Sequence, residues 1–201
     1  MKKVFYLNLV LILFLSGCGS KIKDYNHSGF IKYSNKDYVG AIADYSKVIE
    51  IAPENIEAYF GRGLSNTQLN YFAEANTDLT KVIGLSPRNS AALAARGMAK
   101  NALKDYSGAL ADYNKAIELD PKYLEAYSGR GIAKYLLNDF PGAVADFTKV
   151  IELNPKLPLA WFSRGLAKIL LGQKEGGCLD LNKASELGYS KADEAISSNC
   201  R

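Results

Sequence analysis

The sequence predicts an all-α fold, a solenoid of five helix-turn-helix repeats followed by a C-terminal capping helix, and two observations carry that prediction. Four residue types recur every 34 positions: Gly29, Gly63, Gly97, Gly131 and Gly165; Asp44, Asp78, Asp112, Asp146 and Asp180; Lys47, Lys81, Lys115, Lys149 and Lys183; and Pro53, Pro87, Pro121 and Pro155. Between these markers apolar residues fall at i, i+3 and i+4, as in Tyr45, Val48, Ile49 and Phe147, Val150, Ile151, the spacing of one helix face. A fixed period of this length marks a stacked array, in which no unit buries its apolar face alone.

The first element is not part of the array. Residues 1–16 begin with Lys2 and Lys3, continue as an apolar run over residues 4–15 broken only by Asn8, and end in small residues. That is the layout of an export signal, and the run is too short to span a bilayer stably. Leu15-Ser16-Gly17-Cys18 resembles the lipobox of bacterial lipoproteins. The resemblance implies that residues 1–17 are removed and that Cys18 is acylated with chains such as palmitate. Residues 18–21 would then form a short lipidated tether, with Lys21 and Lys23 near the headgroups. In that family Asp after the cysteine favours retention in the inner membrane, so the resemblance implies that, in a source with two membranes, Gly19 goes with an exported protein anchored in the outer one. Loss of the two signal lysines leaves 23 basic against 21 acidic residues, too even a balance to support a nucleic-acid partner.

With each Pro at position 32, the repeats span residues 22–55, 56–89, 90–123, 124–157 and 158–191. Repeat four carries Tyr127, Gly131, Phe140, Ala143, Phe147 and Pro155; repeat three carries Leu93, Gly97, Tyr106, Ala109, Tyr113 and Pro121. This pattern resembles the tetratricopeptide repeat. Gly at position 8 of the first helix (helix A) admits the backbone of the second (helix B), and Ala41, Ala75, Ala109 and Ala143 supply the matching small contact. Asp37, Asp105 and Asp139 suit the N-cap of helix B, and Pro141 its first turn. Gly188 closes the last repeat, Ser190 and Asp193 suggest a capping pair, and Ala192, Ala195 and Ile196 give residues 192–201 the apolar stripe of a capping helix.

Arg62, Arg96, Arg130 and Arg164 occupy position 7, and a buried guanidinium needs an acid. The repeating candidates are Asp44, Asp78, Asp112, Asp146 and Asp180. Repeat one has Ser28 at position 7, so pairing between successive repeats would join Asp44 to Arg62 and leave Asp180 over, whereas pairing within repeats would leave Asp44 over. The between-repeat arrangement is favoured. Cys178 and Cys200 either form a disulfide stapling the cap helix, which the exported setting favours, or remain as two buried thiols.

No catalytic set emerges. His27 is the single histidine, which excludes a multi-histidine metal site, and no cofactor motif is present. Gly61-Arg62-Gly63 and Gly129-Arg130-Gly131 lack the third glycine and the preceding strand of a dinucleotide fingerprint and are packing glycines. The resemblance instead implies a concave groove lined by Phe30, Leu64, Met98, Ile132 and Leu166, with Phe60, Phe162, Tyr33, Tyr135 and Ile169. So apolar a surface suits an apolar peptide, a helix of a cell-envelope protein, or a second copy of the chain. The expected function is therefore a non-enzymatic, membrane-anchored interaction scaffold, with a self-associating envelope protein as the alternative.

Overall fold

The computed structural model describes residues 19–200, and among them every regular element is a helix. Helix α1 runs through residues 19–34. It is followed by α2 (Tyr38–Ile51), α3 (Ile56–Gln68), α4 (Phe72–Leu85), α5 (Ser90–Ala102), α6 (Tyr106–Leu119), α7 (Leu124–Leu136), α8 (Phe140–Leu153), α9 (Pro158–Leu170), α10 (Lys174–Glu186) and α11 (Lys191–Asn199). Odd-numbered helices up to α9 are helix A of a repeat, and even-numbered ones are helix B. The chain divides into two compact units, Met1–Pro87 and Arg88–Arg201. The first holds the hairpins α1–α2 and α3–α4; the second holds α5–α6, α7–α8, α9–α10 and the terminal α11.

Capping sets the phase of the helices. Asp37, Asp105 and Asp139 accept from the backbone N–H of Gly40, Gly108 and Gly142 at 2.9, 3.0 and 3.0 Å, and Asn55 and Asn89 cap α3 and α5 in the same way. Each A-to-B turn passes through a left-handed residue: Lys36, Asn70, Lys104, Asn138 and Gly172. Each of α2, α4, α6 and α8 ends one residue before an extended C-cap, Ala52, Ser86, Asp120 or Asn154, because the following Pro disfavours helical backbone there.

The core is a ladder of small residues from helix A against bulkier ones from helix B. Ala58, Ala92, Ala126 and Ala160 from A helices are buried, as are Tyr45, Leu79, Tyr113, Phe147 and Leu181 from B helices. The recurring Gly of helix A makes room for these B side chains. A Cβ on Gly29, Gly97 or Gly131 would lie 2.9 Å from the ring of Tyr45, Tyr113 or Phe147. Side-chain volume therefore explains the glycine at these positions. Close backbone approach, the expected reason, appears at Gly165, where the nearest atom is the carbonyl oxygen of Gly177.

Residues 19–21 are already helical, so that stretch of the tether rises about 1.5 Å per residue. One local expectation is corrected. Ser190 has helical backbone and makes no capping bond; Asp193 instead accepts from Ser185 Oγ. Cys18 and the export signal lie outside the described residues, and none of the described helices is long and apolar enough to cross a membrane.

Candidate functional site

Each repeat buries one carboxylate, and the surrounding side chains define its polar centre. Asp78, Asp112, Asp146 and Asp180 are paired within their own repeats, with Arg62, Arg96, Arg130 and Arg164. In every case Nε and Nη2 of the arginine donate to the two carboxylate oxygens at 2.6–2.9 Å. This bidentate geometry is the strong form of the interaction. The favoured between-repeat pairing of Asp44 with Arg62 is thus overturned. Asp44 is held by Lys32 at 2.6 Å and by Ser28 Oγ, and Asp180, the residue expected to be left over, is paired. The cause is the hairpin itself, which brings position 7 of helix A beside position 23 of helix B. Contact with the preceding repeat uses neutral groups: Arg62, Arg130 and Arg164 turn Nη1 to Ser46, Asn114 and Thr148.

A second cation was not foreseen. Lys100, Lys134 and Lys168 each place Nζ 2.8 Å from the same aspartate, so these repeats contain Arg-Asp-Lys triads. Their signal was in the sequence: Lys32, Lys100, Lys134 and Lys168 keep the 34-residue register, with Asn66 in the remaining repeat. Arg62, Arg130 and Arg164 also lie over the rings of Tyr59, Tyr127 and Trp161, at 5.7, 5.4 and 4.9 Å. The hydrogen bonds to Asp78 hold Arg62 more firmly protonated, against the effect of its burial. Such networks add less net stability than register, because desolvation offsets much of the attraction.

Glycines at position 6 of helix A receive rings from the preceding repeat. A Cβ at Gly61 would stand 2.3 Å from Tyr45 Cζ, and one at Gly129 the same distance from Tyr113 Cζ. At the C-terminal end Cys178 and Cys200 are joined by a disulfide, with Cα atoms 5.8 Å apart, which ties the end of α11 to α10. His27 is exposed, and no group of potential metal ligands is present among the described residues.

The residues assigned to the groove divide into two sets. Phe30, Met98 and Ile132 are 61, 49 and 40% exposed, while Phe60, Leu64 and Leu166 are half-buried. Tyr33, Tyr135 and Phe162 are engaged edge-on or tilted against Tyr38, Phe140 and Tyr189, with centroids 5.4, 5.6 and 4.8 Å apart. Ile169 packs over Gly177, whose Cβ would lie 2.6 Å from Ile169 Cγ1. These four side chains therefore support the hairpins. In the second unit the exposed apolar set is widened by Leu136, Leu159 and Leu170. Across positions 2, 5, 9, 12 and 13 of repeats three to five the only charged residue is Glu125. The B helices are different, with the exposed pairs Lys115–Glu118, Lys149–Glu152 and Lys183–Glu186.

Family models for the tetratricopeptide repeat match residues 29–70 and 97–138, and a further one matches residues 56–89, together just over half of the chain. The chain belongs to the tetratricopeptide-repeat family. Solved TPR structures agree with it over most of its length. A MamA protein is 26% identical, with 87% of this chain and 96% of that one covered and a TM-score of 0.75. YrrB, described as a TPR protein with an unusual peptide-binding site, is 22% identical over 86% of this chain and 90% of that one, with a TM-score of 0.72. PilF of Pseudomonas aeruginosa is 16% identical over 87% of this chain and 79% of that one, with a TM-score of 0.76. Among curated protein sequences there is no significant match.

Proposed function

We propose that this TPR protein is a non-catalytic interaction module of the bacterial cell envelope, exported, anchored through lipid on Cys18 and held at the outer membrane. The observation that carries the binding role is the A-helix face of repeats three to five, where Met98, Ile132, Leu136, Leu159 and Leu170 are exposed and Glu125 is the sole charge. An exposed apolar face with a single charge suits an apolar peptide or one side of an amphipathic helix, whose burial recovers about 25 cal/mol per Å². A likeness to YrrB, whose description names a peptide-binding site, supports the same reading. The anchor rests on the sequence of residues 1–18 alone.

A photo-crosslinking residue placed at Ile132 in intact cells should capture a defined partner, and the same residue at Lys149, on the charged B-helix face, should not. The triple variant Ile132→Ser, Leu136→Ser, Leu170→Ser should lose that partner while keeping its helical content and melting curve. Equal capture from both faces would refute the binding face; capture of the chain by itself would favour self-association. Labelled palmitate should enter the wild type and not Cys18→Ser.

A further inference from the structure

The buried aspartates are not equally supplied with cations. Asp112, Asp146 and Asp180 each hold an arginine and a lysine, with Nζ at 2.8 Å, and Asp44 holds Lys32 at 2.6 Å. Asp78 has Arg62, but the residue in the lysine's register is Asn66, whose Nδ2 reaches Oδ2 at 3.3 Å. Beside it lies a cavity of about 320 Å³ lined by the polar Ser46, Arg62, Asn66, Glu74, Thr77 and Asp78 together with Ile42.

A second departure falls in the same repeat. Gly40, Gly108, Gly142 and Gly176 occupy the first turn of helix B in the other four repeats, and Glu74 occupies it here. That position adjoins the ammonium. Lys100 Nζ donates to the Gly108 carbonyl at 3.5 Å, and a Cβ on Gly176 would lie 3.9 Å from Lys168 Nζ. The local charge is consequently inverted: Arg96, Lys100 and Asp112 leave one net positive charge, whereas Arg62, Asp78 and Glu74 leave one net negative charge.

Helix capping could account for the glycine in three repeats, because a Cβ on Gly40, Gly108 or Gly142 would collide with the N-cap aspartate. Repeat five separates the two causes. Its N-cap Gln173 makes no capping bond, yet Gly176 is kept beside Lys168. The glycine there accompanies the lysine, and Glu74 accompanies the lysine's absence.

We propose that repeat two binds a primary ammonium group on Asp78 between Asn66 and Glu74, in the place that the chain's own lysine fills in the other repeats. The three N–H donors of an alkylammonium match the carboxylates of Asp78 and Glu74 and the oxygens beside them. Asn66 is 6% exposed and Glu74 is exposed, so the site runs from the interior of the hairpin to the surface. The ammonium belongs either to a lysine side chain of a bound segment or to a small free amine. The site is separate from the apolar A-helix face of repeats three to five and stands or falls independently of it.

Titration of the isotope-labelled full chain with n-butylammonium, followed by NMR at Arg62 Nε–H and the Thr77 amide, tests the assignment. Saturable shifts are expected with butylammonium and none with tetramethylammonium, which has no N–H to donate. Asn66→Lys should abolish the shifts by supplying the ammonium internally, without lowering the melting temperature. Glu74→Gln, which leaves the buried pair intact, should weaken binding about tenfold. No saturable shift in the wild type, or equal shifts in Asn66→Lys, overturns the proposal. Tighter binding of acetyl-Gly-Lys-Gly-amide than of 1,4-diaminobutane assigns the ammonium to a peptide lysine, and the reverse order assigns it to a free amine.

Discussion

Replacing Asp146 with Asn keeps the size of the side chain and removes one charge from the centre of repeat four. Arg130 Nη2 and Nε donate to its two oxygens at 2.6 and 2.9 Å, and Lys134 Nζ stands 2.8 Å away. The aspartate side chain is 4% exposed, and those of Arg130 and Lys134 are 18 and 22% exposed. The amide leaves two cations facing each other without an anion. Removing one partner of a buried pair costs about 3–5 kcal/mol. Residual hydration of both cations screens part of this, leaving about 2–3 kcal/mol. For a chain of this length the melting temperature should fall by roughly 5–10 °C. Thermal unfolding followed by circular dichroism measures it. The double variant Asp146→Asn, Lys134→Met removes the surplus cation and should recover part of the loss. A single variant that melts within about 1 °C of the parent, or a double variant less stable than the single, would refute the reasoning.

Gly129→Ala should cost about 1–3 kcal/mol through overpacking, because the new Cβ meets the buried Tyr113 ring at 2.3 Å; an unshifted urea midpoint would show that the ring yields freely. Cys200→Ser opens a loop closed across a sequence separation of 22 residues and should cost about 3 kcal/mol, with faster amide exchange confined to α11 if the bond acts only on the cap. Burial pushes the Asp44 carboxyl up, but hydrogen bonds from Lys32 and Ser28 and the charges of Lys32 and Lys47 outweigh it and hold it below the usual range. With the folded value below the unfolded one, the carboxylate stabilises the fold at neutral pH, and that stability is lost as pH falls below about 4. Lys32→Met should flatten this acid limb, and an identical pH profile would exclude Asp44 as its source.

Much of the architecture was legible because it repeats. One Gly, Asp or Pro says little, but five or four of each at one interval define where helices begin, end and touch. The N-cap aspartates and the proline stops act within a few residues of chain, so their consequences follow from local chemistry. The lysines of the triads keep the same interval in four of the five repeats, but their role is decided by the partner across the hairpin. Tyr33, Tyr135 and Phe162 sit in a register that suggests an open groove. Each instead finds a ring close by, at Tyr38, Phe140 or Tyr189.

By itself, then, the sequence determined the helical class, the period, the chain's even charge and the residues that could carry a lipid or a disulfide. It did so because helix propensity, capping and repeat register are properties of neighbouring residues. Tertiary structure decided which aspartate meets which arginine, which apolar side chains remain exposed and where a neutral asparagine takes a lysine's place. Those outcomes depend on groups brought together across the hairpin, as Arg130 is with Asp146 sixteen residues further on, and distance along the chain does not specify distance in space.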